Sequence, residues 1–268
     1  MKKTLAILLA ITLLCTLFTA CAKDEDAKVI RVGASITPHA EILEVVKDNL
    51  AEQGYTLEIV EFTDYVLPNT AVESGELDAN YFQHLPYLED FNAEHGTHLV
   101  SVGAVHYEPY GIYAGRCDSL DNIPDGAKIA VPNDSTNEAR ALQLLAEIGL
   151  ITIREGAGLS ATVLDIVDNP KNIQIVELES AQIPRSLLDV DFGVINGNYA
   201  IEAGFSASDA LALESANSLA AQTYGNILVV REGNENREDI QALYAALCSD
   251  EVREFITSTY GDAVVPIF

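Results

Sequence analysis

Residues 128–149, KIAVPNDSTNEARALQLLAEIG, decide the fold class of this chain. Residues 128–131 form a mostly apolar run that predicts a strand, and Ser135 is the predicted N-cap of the helix that follows. That helix is predicted to end near Gly149, and residues 172–178 (NIQIVEL) predict the next strand. A strand, a helix and a second strand in this order are typical of a parallel sheet with a crossover helix.

The same pattern occurs earlier in the chain. Residues 29–33 (VIRVG) and 57–62 (LEIVEF) predict strands, and between them Thr37 is the predicted N-cap of a helix with Pro38 at its first position. Further strands are predicted at 192–195 and 226–231, and further helices at 160–167, 180–188 and 237–248. We therefore predict an α/β protein with two mostly parallel sheets flanked by helices. A ligand is expected where the carboxyl ends of their strands face each other.

Residues 1–21 predict an exported lipoprotein. Lys2 and Lys3 precede the apolar run 5–18, and Ala20 comes directly before Cys21. A basic start, a short apolar stretch and a small residue before a cysteine describe a signal peptide at 1–20, cleaved so that Cys21 becomes the lipidated N-terminus. An uncleaved anchor is the alternative. Residues 21–27 are then the lipidated cysteine and a charged tether. The domain that follows is expected on the extracytoplasmic face of the cell membrane.

Charge and cysteine content exclude some partners. The chain has 41 acidic and 15 basic side chains and a formal net charge of −26. Such a charge repels nucleic acid and anionic lipid headgroups, so we expect no binding to nucleic acid. Outside the leader and Cys21, only Cys117 and Cys248 remain, and their spacing is compatible with one disulfide or two free thiols.

Arg140 is the strongest candidate for ligand contact. It lies in the early turns of an apolar helix, where both burial and the positive end of the helix dipole disfavour a cation. A carboxylate would relieve both costs, since a guanidinium binds it through two parallel hydrogen bonds. Asn137 lies on the same helix face and could share that carboxylate. The alternative is that Arg140 pairs with an acidic residue of the protein itself.

Two further groups of residues are candidates. Residues 78–88 (DANYFQHLPYL) bring Phe82, His84 and Tyr87 close together, which fits either an aromatic pocket or an ordinary core. Asn196 directly follows a predicted strand, where its amide could bind a ligand or form a turn with the next glycine. Asn226, at the start of another predicted strand, has the same two interpretations.

The motifs of common enzyme classes are missing from the sequence. It contains no GxSxG, HExxH or CxxC motif and no phosphate-binding glycine-rich loop, so we predict that the protein is not an enzyme and uses no cofactor. His95 and His98 leave a zinc-binding lipoprotein as one alternative, although two histidines alone make a weak site. An adhesin or signalling lipoprotein that has lost its ligand is another.

Several long segments resemble the methionine-binding lipoproteins of the MetQ/NlpA family. They are residues 64–88, VPNDSTNEARAL (131–142), NPKNIQIVELESAQIPRSL (169–187), INGNYA (195–200) and YGNILVVR (224–231). The resemblance implies a two-lobed periplasmic-binding-protein fold of type II-like topology. It also implies a monomer that binds free L-methionine between its lobes and delivers it to an ABC permease and its ATPase subunits. A related amino acid or a methionine-containing dipeptide is an alternative ligand.

The resemblance also implies roles for individual residues. Tyr65, Phe82, His84 and Tyr87 would surround the thioether side chain, Arg140 and Asn137 would hold the α-carboxylate, and Asn196 and Asn226 would hold the polar head from the other side. Asn198 is not carried over, because the residues after Asn196 vary among relatives. The implied lobes are 28–111 with 226–268, and 112–225, with chain crossings at Tyr110-Gly111 and Tyr224-Gly225. No metal site is implied.

Overall fold

The computed structural model describes residues 28–215 and 223–268, which form two α/β lobes, each built on its own sheet. The predicted leader, the lipidation site Cys21 and the tether lie outside the described residues. Within the two described ranges, no helix has both the length and the apolar character needed to cross a membrane.

Strands and helices alternate along most of the chain. The strands are β1 (Lys28–Ser35), β2 (Tyr55–Phe62), β3 (Ala79–His84), β4 (Leu99–Tyr107), β5 (Gly111–Ala114), β6 (Lys128–Pro132), β7 (Thr152–Ile153), β8 (Ile166–Asp168), β9 (Gln174–Leu178), β10 (Phe192–Ile195), β11 (Ala210–Leu213), β12 (Asn226–Arg231) and β13 (Val265–Pro266). The α-helices of the described residues are α1 (Glu41–Val45), α2 (Lys47–Glu52), α3 (Leu67–Ser74), α4 (Leu85–His95), α5 (Ser135–Glu147), α6 (Ile183–Ser186), α7 (Gly197–Glu202), α8 (Glu238–Leu247) and α9 (Asp250–Tyr260).

In each sheet most strands run in the same direction, as predicted, and a minority run antiparallel to them. The first has the strand order β13-β4-β12-β3-β1-β2, and β1 is parallel to β2 and β3. The second has the order β11-β5-β10-β6-β9, with β6 parallel to β9 and β10. In each sheet one strand that arrives from the other half of the chain, β12 or β5, is inserted antiparallel to its neighbours. The α/β class is confirmed.

The chain passes between the sheets in two places. Residues 108–110 join β4 of the first sheet to β5 of the second, and residues 214–225 connect β11 back to β12. Only 214–215 and 223–225 of the return connection are among the described residues. The first passage and the described part of the return therefore lie next to the edge where the two lobes meet.

Three predicted helices differ in the structure. The prediction at 160–167 is wrong, because this segment contains single 3-10 turns and β8, and the Asp165 carboxylate closes one turn by accepting the Thr162 N–H at 2.9 Å. Leu164 is 91% exposed, so the apolar residues there do not form a buried helical stripe. The helix at 180–188 shortens to a 3-10 turn and α6. The helix expected after Thr37 is divided into a turn at Ile36–Ala40, α1 and α2.

The N-cap of α5 is Asp134 rather than Ser135. The Asp134 carboxylate accepts the Asn137 N–H at 3.0 Å, while the Ser135 hydroxyl donates to Asp90 on α4. Glu138 does not close a capping box, because its Oε1 accepts the N–H of Val163. Both Asp and Ser are good N-caps, and a carboxylate has the further advantage of facing the positive end of the helix dipole.

Helix α5 lies at the centre of the second lobe, and it is buried as its apolar sequence predicts. Leu142 on α5 packs in one fully buried cluster with Ile129 of β6 and Phe192 of β10. Of the two alternatives for the cysteines, the structure has free thiols at Cys117 and Cys248. Packing of α5 against β6 fixes the position of the polar residues in its first two turns.

Candidate functional site

A small cavity lies between the two lobes, and the space in it that is open to a water-sized sphere is about 20 Å³, close to that of one bound water. Its lining residues are Tyr65, Phe82, Gln83, His84, Tyr87, Glu108, Asn137, Arg140, Asn196, Gly197, Asn198 and Asn226. All eight predicted ligand-binding residues are therefore brought together around one cavity. They come from both sheets and from sequence positions far apart.

Aromatic rings form one wall of the cavity. The Tyr65 ring lies 5.7 Å from Phe82 and 5.9 Å from Tyr87, and Phe82 lies 6.1 Å from Tyr87, measured between ring centroids. The Tyr87 hydroxyl donates to the Tyr65 carbonyl at 3.0 Å, which fixes two of the rings relative to each other. Phe82 is on β3 and Tyr87 in the first turn of α4. This wall offers apolar ring faces to a ligand side chain.

His84 connects the aromatic wall with the polar side. Its Nδ1 accepts the N–H of Tyr87 at 3.2 Å, so its proton is assigned to Nε2, which lies 3.3 Å from Asn137 Oδ1. Burial and the charge of Arg140 lower the pKa of His84 to about 3. His84 is therefore neutral at ordinary pH and acts as a hydrogen-bond donor across the two lobes.

Arg140 is paired with an acidic residue of the protein, as the alternative interpretation predicted, and its role toward a ligand stays a prediction. Its Nε lies 2.9 Å from Glu214 Oε1, and its Nη2 lies 2.6 Å from Glu214 Oε2 and 2.9 Å from the Glu108 carbonyl oxygen. The guanidinium carbon lies 4.3 Å from the ring centroids of both Tyr110 and Tyr224. These contacts hold the guanidinium plane in one orientation.

The ion pair leaves part of Arg140 available. No hydrogen bond within the described residues uses its Nη1, and the residue lines the cavity. Burial is the largest single effect and lowers the pKa of Arg140, but the charge and hydrogen bonds of Glu214 and the nearby Tyr107 and Tyr110 together outweigh it, so the guanidinium stays protonated. Burial is the largest single effect and raises the pKa of Glu214, but the charge of Arg140 together with the hydrogen bonds from Arg140, Tyr107 and the Tyr110 N–H holds that pKa below its ordinary value. The pair is therefore charged, and one edge of the guanidinium can still bind a carboxylate.

The three predicted asparagines form a polar wall. Asn137 Oδ1 faces His84, Tyr110 and Asn196, and its Nδ2 donates to the Asp134 carboxylate at 2.9 Å. Asn196 Nδ2 donates to Asn137 Oδ1 at 3.0 Å. Because Asn137 bonds within the protein through both ends of its amide, the geometry favours a role in positioning its neighbours.

Asn226 has an open donor, and each end of the Asn196 amide has only one partner in the protein, so both residues can still contact a ligand. Asn196 directly follows β10, as predicted, and its Oδ1 accepts the Tyr110 hydroxyl at 3.1 Å. Asn226 begins β12, and its Oδ1 faces His39 Nε2 at 2.9 Å. No hydrogen bond among the described residues uses Asn226 Nδ2, so this donor is open to the cavity.

Sequence reasoning did not assign Glu108, Asn198 or Glu214 to the site. Glu108 and Asn198 line the cavity, and Glu214 orients Arg140. Asn198 Oδ1 accepts the Tyr65 hydroxyl at 2.6 Å, but its buried Nδ2 has no partner in the part of the chain that the structure describes. The position of Glu108 could have been noticed in the sequence, since it stands two residues before the predicted crossing at Tyr110-Gly111. Glu214 lies in a segment without a recognisable motif.

A cluster of metal-ligand residues lies next to the cavity. The potential ligand atoms of His39, His106 and Glu108 all lie within 4.8 Å of one another, and all three residues are buried. However, His106 Nε2 is 2.7 Å from Glu108 Oε1, and the Tyr81 hydroxyl occupies the other ring nitrogen of His106. The cluster is therefore a connected hydrogen-bond network. His95 and His98, the histidines of the zinc alternative, are exposed and face Glu94 and Glu73 separately.

An enclosed cavity between two α/β lobes, with an aromatic wall and a buried guanidinium, defines a two-lobed substrate-binding protein. The NlpA lipoprotein family profile matches residues 30–268, and the chain belongs to this family. The membrane lipoprotein TpN32 of Treponema pallidum is 47% identical over 249 residues, covering 92% of this chain and 91% of TpN32. The D-methionine-binding lipoprotein MetQ of Salmonella typhimurium is 42% identical over 250 residues, covering 91% of each protein.

Solved structures agree with the fold. A lipoprotein from Ruminococcus gnavus is 60% identical and superposes with a TM-score of 0.89, covering 90% of this chain and 100% of that one. A nutrient-binding protein from Burkholderia cenocepacia, solved bound to methionine, is 43% identical with a TM-score of 0.85, covering 89% of this chain and 100% of that one. The two-lobed fold predicted from the sequence is confirmed.

The Arg140–Glu214 pair makes a pH-dependent contribution to stability. The pKa of Glu214 in the folded state lies below its ordinary value of 4.5, so the pair stabilises the protein fully above that pH and is lost as the pH falls through the folded-state pKa. Glu214→Gln should lower the free energy of unfolding by roughly 2 kcal/mol or more at pH 7, because it leaves a buried charge without its partner. The loss should shrink as the pH is lowered to about 3.

Denaturant unfolding of wild type and variant across this pH range measures the difference. Glu254→Gln, on the exposed surface of α9, is the matched control and should show little loss at any pH. A loss for Glu214→Gln that stays constant with pH would contradict the assignment of the charge to this pair.

Proposed function

We propose that this protein is an extracytoplasmic lipoprotein that binds methionine and delivers it to an ABC importer. The observation that carries the proposal is the cavity itself, in which an aromatic wall faces a guanidinium whose Nη1 has no described hydrogen bond. Support comes from relatives named as D-methionine-binding lipoproteins and from a neighbouring structure bound to methionine. The chain is a transport component and performs no chemistry on its ligand.

In the bound state the thioether lies against Tyr65, Phe82 and Tyr87, and the α-carboxylate accepts from Arg140 Nη1. Sulfur beside an aromatic ring contributes about 0.3–1.5 kcal/mol per contact. The open donors of Asn196 and Asn226 bind the polar head, His84 borders the side-chain pocket, and Asn137 orients its neighbours. Exclusion of water around the carboxylate strengthens its attraction to the guanidinium, because the local dielectric constant is low.

Capture proceeds by closure of two lobes, 28–111 with 226–268 and 112–225, around the ligand. The hinges are the two chain passages near Tyr110-Gly111 and Tyr224-Gly225. Contacts across the cleft hold the closed form, since the Tyr65 hydroxyl donates to Asn198 and the Tyr199 hydroxyl donates to the Thr63 carbonyl at 3.2 Å. Lipid on Cys21 keeps the monomer at the cell membrane, where the loaded form docks on a permease driven by cytoplasmic ATPase subunits.

The direct test is calorimetric titration of ligand-stripped protein with the twenty amino acids, both enantiomers of methionine and methionine-containing dipeptides. Methionine should bind at least about tenfold tighter than leucine, since the cavity offers several ring contacts to sulfur. If a dipeptide or another amino acid binds more tightly than methionine, that compound is the ligand and the assignment of methionine is wrong. Binding of none of these compounds would contradict the proposed function.

Arg140→Lys tests the carboxylate contact without removing the positive charge that Glu214 requires. Lysine lacks the planar fork, so it cannot bond Glu214, the Glu108 carbonyl and a ligand together. We expect methionine affinity to fall at least about tenfold, and the affinity of the decarboxylated analogue 3-(methylthio)propylamine to change little. Calorimetry measures both. Arg154→Lys, whose side chain is 68% exposed outside the cavity, is the control, and equal losses for both ligands would refute the contact.

Phe82 tests the aromatic wall. Phe82→Leu keeps an apolar side chain but removes the ring, so methionine affinity should fall about 2- to 12-fold, which is the value of one ring–sulfur contact. Phe82→Ala should cause a larger loss, because it also leaves space unfilled. Neither variant should change the preference for methionine over 3-(methylthio)propylamine. If calorimetry shows that either variant changes the preference for methionine over 3-(methylthio)propylamine, the polar head of the ligand lies at the aromatic wall. The ligand is then bound in the opposite orientation.

A further inference from the structure

Glu108 is a buried carboxylate in the wall of the cavity. It lies in the passage between β4 and β5, is 5% exposed and is one of the lining residues. A Cβ atom added to Gly197 would lie 2.7 Å from Glu108 Oε2, so the carboxylate is closely packed against the start of α7 in the second lobe. Glu108 therefore meets both lobes at the point where the ligand is enclosed.

The polar partners of this carboxylate are neutral. His106 Nε2 lies 2.7 Å from Oε1, and the other ring nitrogen of His106 faces the Tyr81 hydroxyl. His39 Nε2 lies 3.4 Å from Oε1 and 2.9 Å from Asn226 Oδ1. An imidazolium needs an acceptor for both of its N–H groups, but His39 Nδ1 is buried without a partner among the described residues and His106 Nδ1 faces only a hydroxyl, so the geometry favours neutral rings.

The one arginine in the cavity wall is not bonded to the Glu108 carboxylate, and although its charge acts to lower the pKa of Glu108, burial has the larger effect and raises that pKa. Arg140 bonds the Glu214 carboxylate through Nε and Nη2 and reaches only the backbone carbonyl of Glu108. Within 28–215 and 223–268, no protonated side chain is bonded to the Glu108 carboxylate. A buried carboxylate without a cation is unfavourable, so an enclosed ligand that carries a positive charge is favoured beside it.

We propose that Glu108 binds the α-ammonium group of the amino acid and makes a free amino group a requirement for binding. This inference rests on the proposed function and adds the receptor for the second charge of the zwitterion. An ammonium donates three hydrogen bonds, which the Glu108 carboxylate and the remaining lone pairs of the Asn226 and Asn196 Oδ1 atoms can accept. Because Arg140 Nη2 bonds the Glu108 carbonyl oxygen, the sites for the carboxylate and the ammonium adjoin each other.

The test compares two ligands that differ only in the amino group, L-methionine and 4-(methylthio)butanoic acid, on wild type and Glu108→Gln. Wild type should bind methionine at least about tenfold tighter than the deaminated acid, since a charge-assisted hydrogen bond is lost in the latter. Glu108→Gln should weaken methionine at least about tenfold while changing the affinity of the deaminated acid less than about threefold. Calorimetry at pH 7 with a chelator present gives both constants.

Glu138→Gln is the matched control, because Glu138 is equally buried at 5% exposed but lies outside the cavity and accepts the Val163 N–H. It should leave the preference for methionine unchanged. If Glu108→Gln does not fold, Glu108→Asp decides by the same criterion, since shortening the side chain moves the charge away from the ligand.

Equal losses for both ligands, or methionine affinity unchanged in Glu108→Gln, would overturn the assignment of Glu108. Loss of methionine binding by wild type when the chelator is added would also overturn it, in favour of a metal at His39, His106 and Glu108. Failure of wild type to bind any amino acid would overturn the proposed function itself, which is a different result from altered discrimination in the variant.

Discussion

The site depends on the burial of one guanidinium with its internal partner. Arg140 is 4% exposed and lies near the start of an apolar helix, where a cation without a partner would be strongly unfavourable. Glu214 removes this cost, and the two flanking tyrosines restrict the guanidinium further. Because Glu214 lies in the return connection between the lobes, the orientation of Arg140 is tied to a passage that we propose as a hinge.

The cavity is apolar at one end and polar at the other. Rings from β3, α4 and the segment before α3 provide the apolar end, whereas α5, the end of β10 and the start of β12 provide the polar end. Such an arrangement selects a compact ligand with an apolar chain and a charged head. The polar end contains both a cation with an open edge and a carboxylate without a cation, which are the complements of a zwitterion.

Much of this could be predicted from sequence, because the fold signals are local. Strands β10 and β12 match their predicted ranges, and α8 begins one residue later than predicted. Resemblance to the family supplied the eight positions now found around one cavity. What could not be predicted depends on contacts between distant residues. The choice of Glu214 for Arg140 joins positions 74 apart, and nothing near either residue indicates it. The capping error at Ser135 arose because two adjacent residues are both good N-caps.

A crystal structure of the protein grown with methionine tests the central claim most directly. We predict methionine in the cavity with a carboxylate oxygen within about 3.2 Å of Arg140 Nη1, while the Glu214 carboxylate still accepts hydrogen bonds from Arg140 Nε and Nη2. An empty cavity at saturating methionine, or a ligand carboxylate that has displaced Glu214 from the guanidinium, would contradict it.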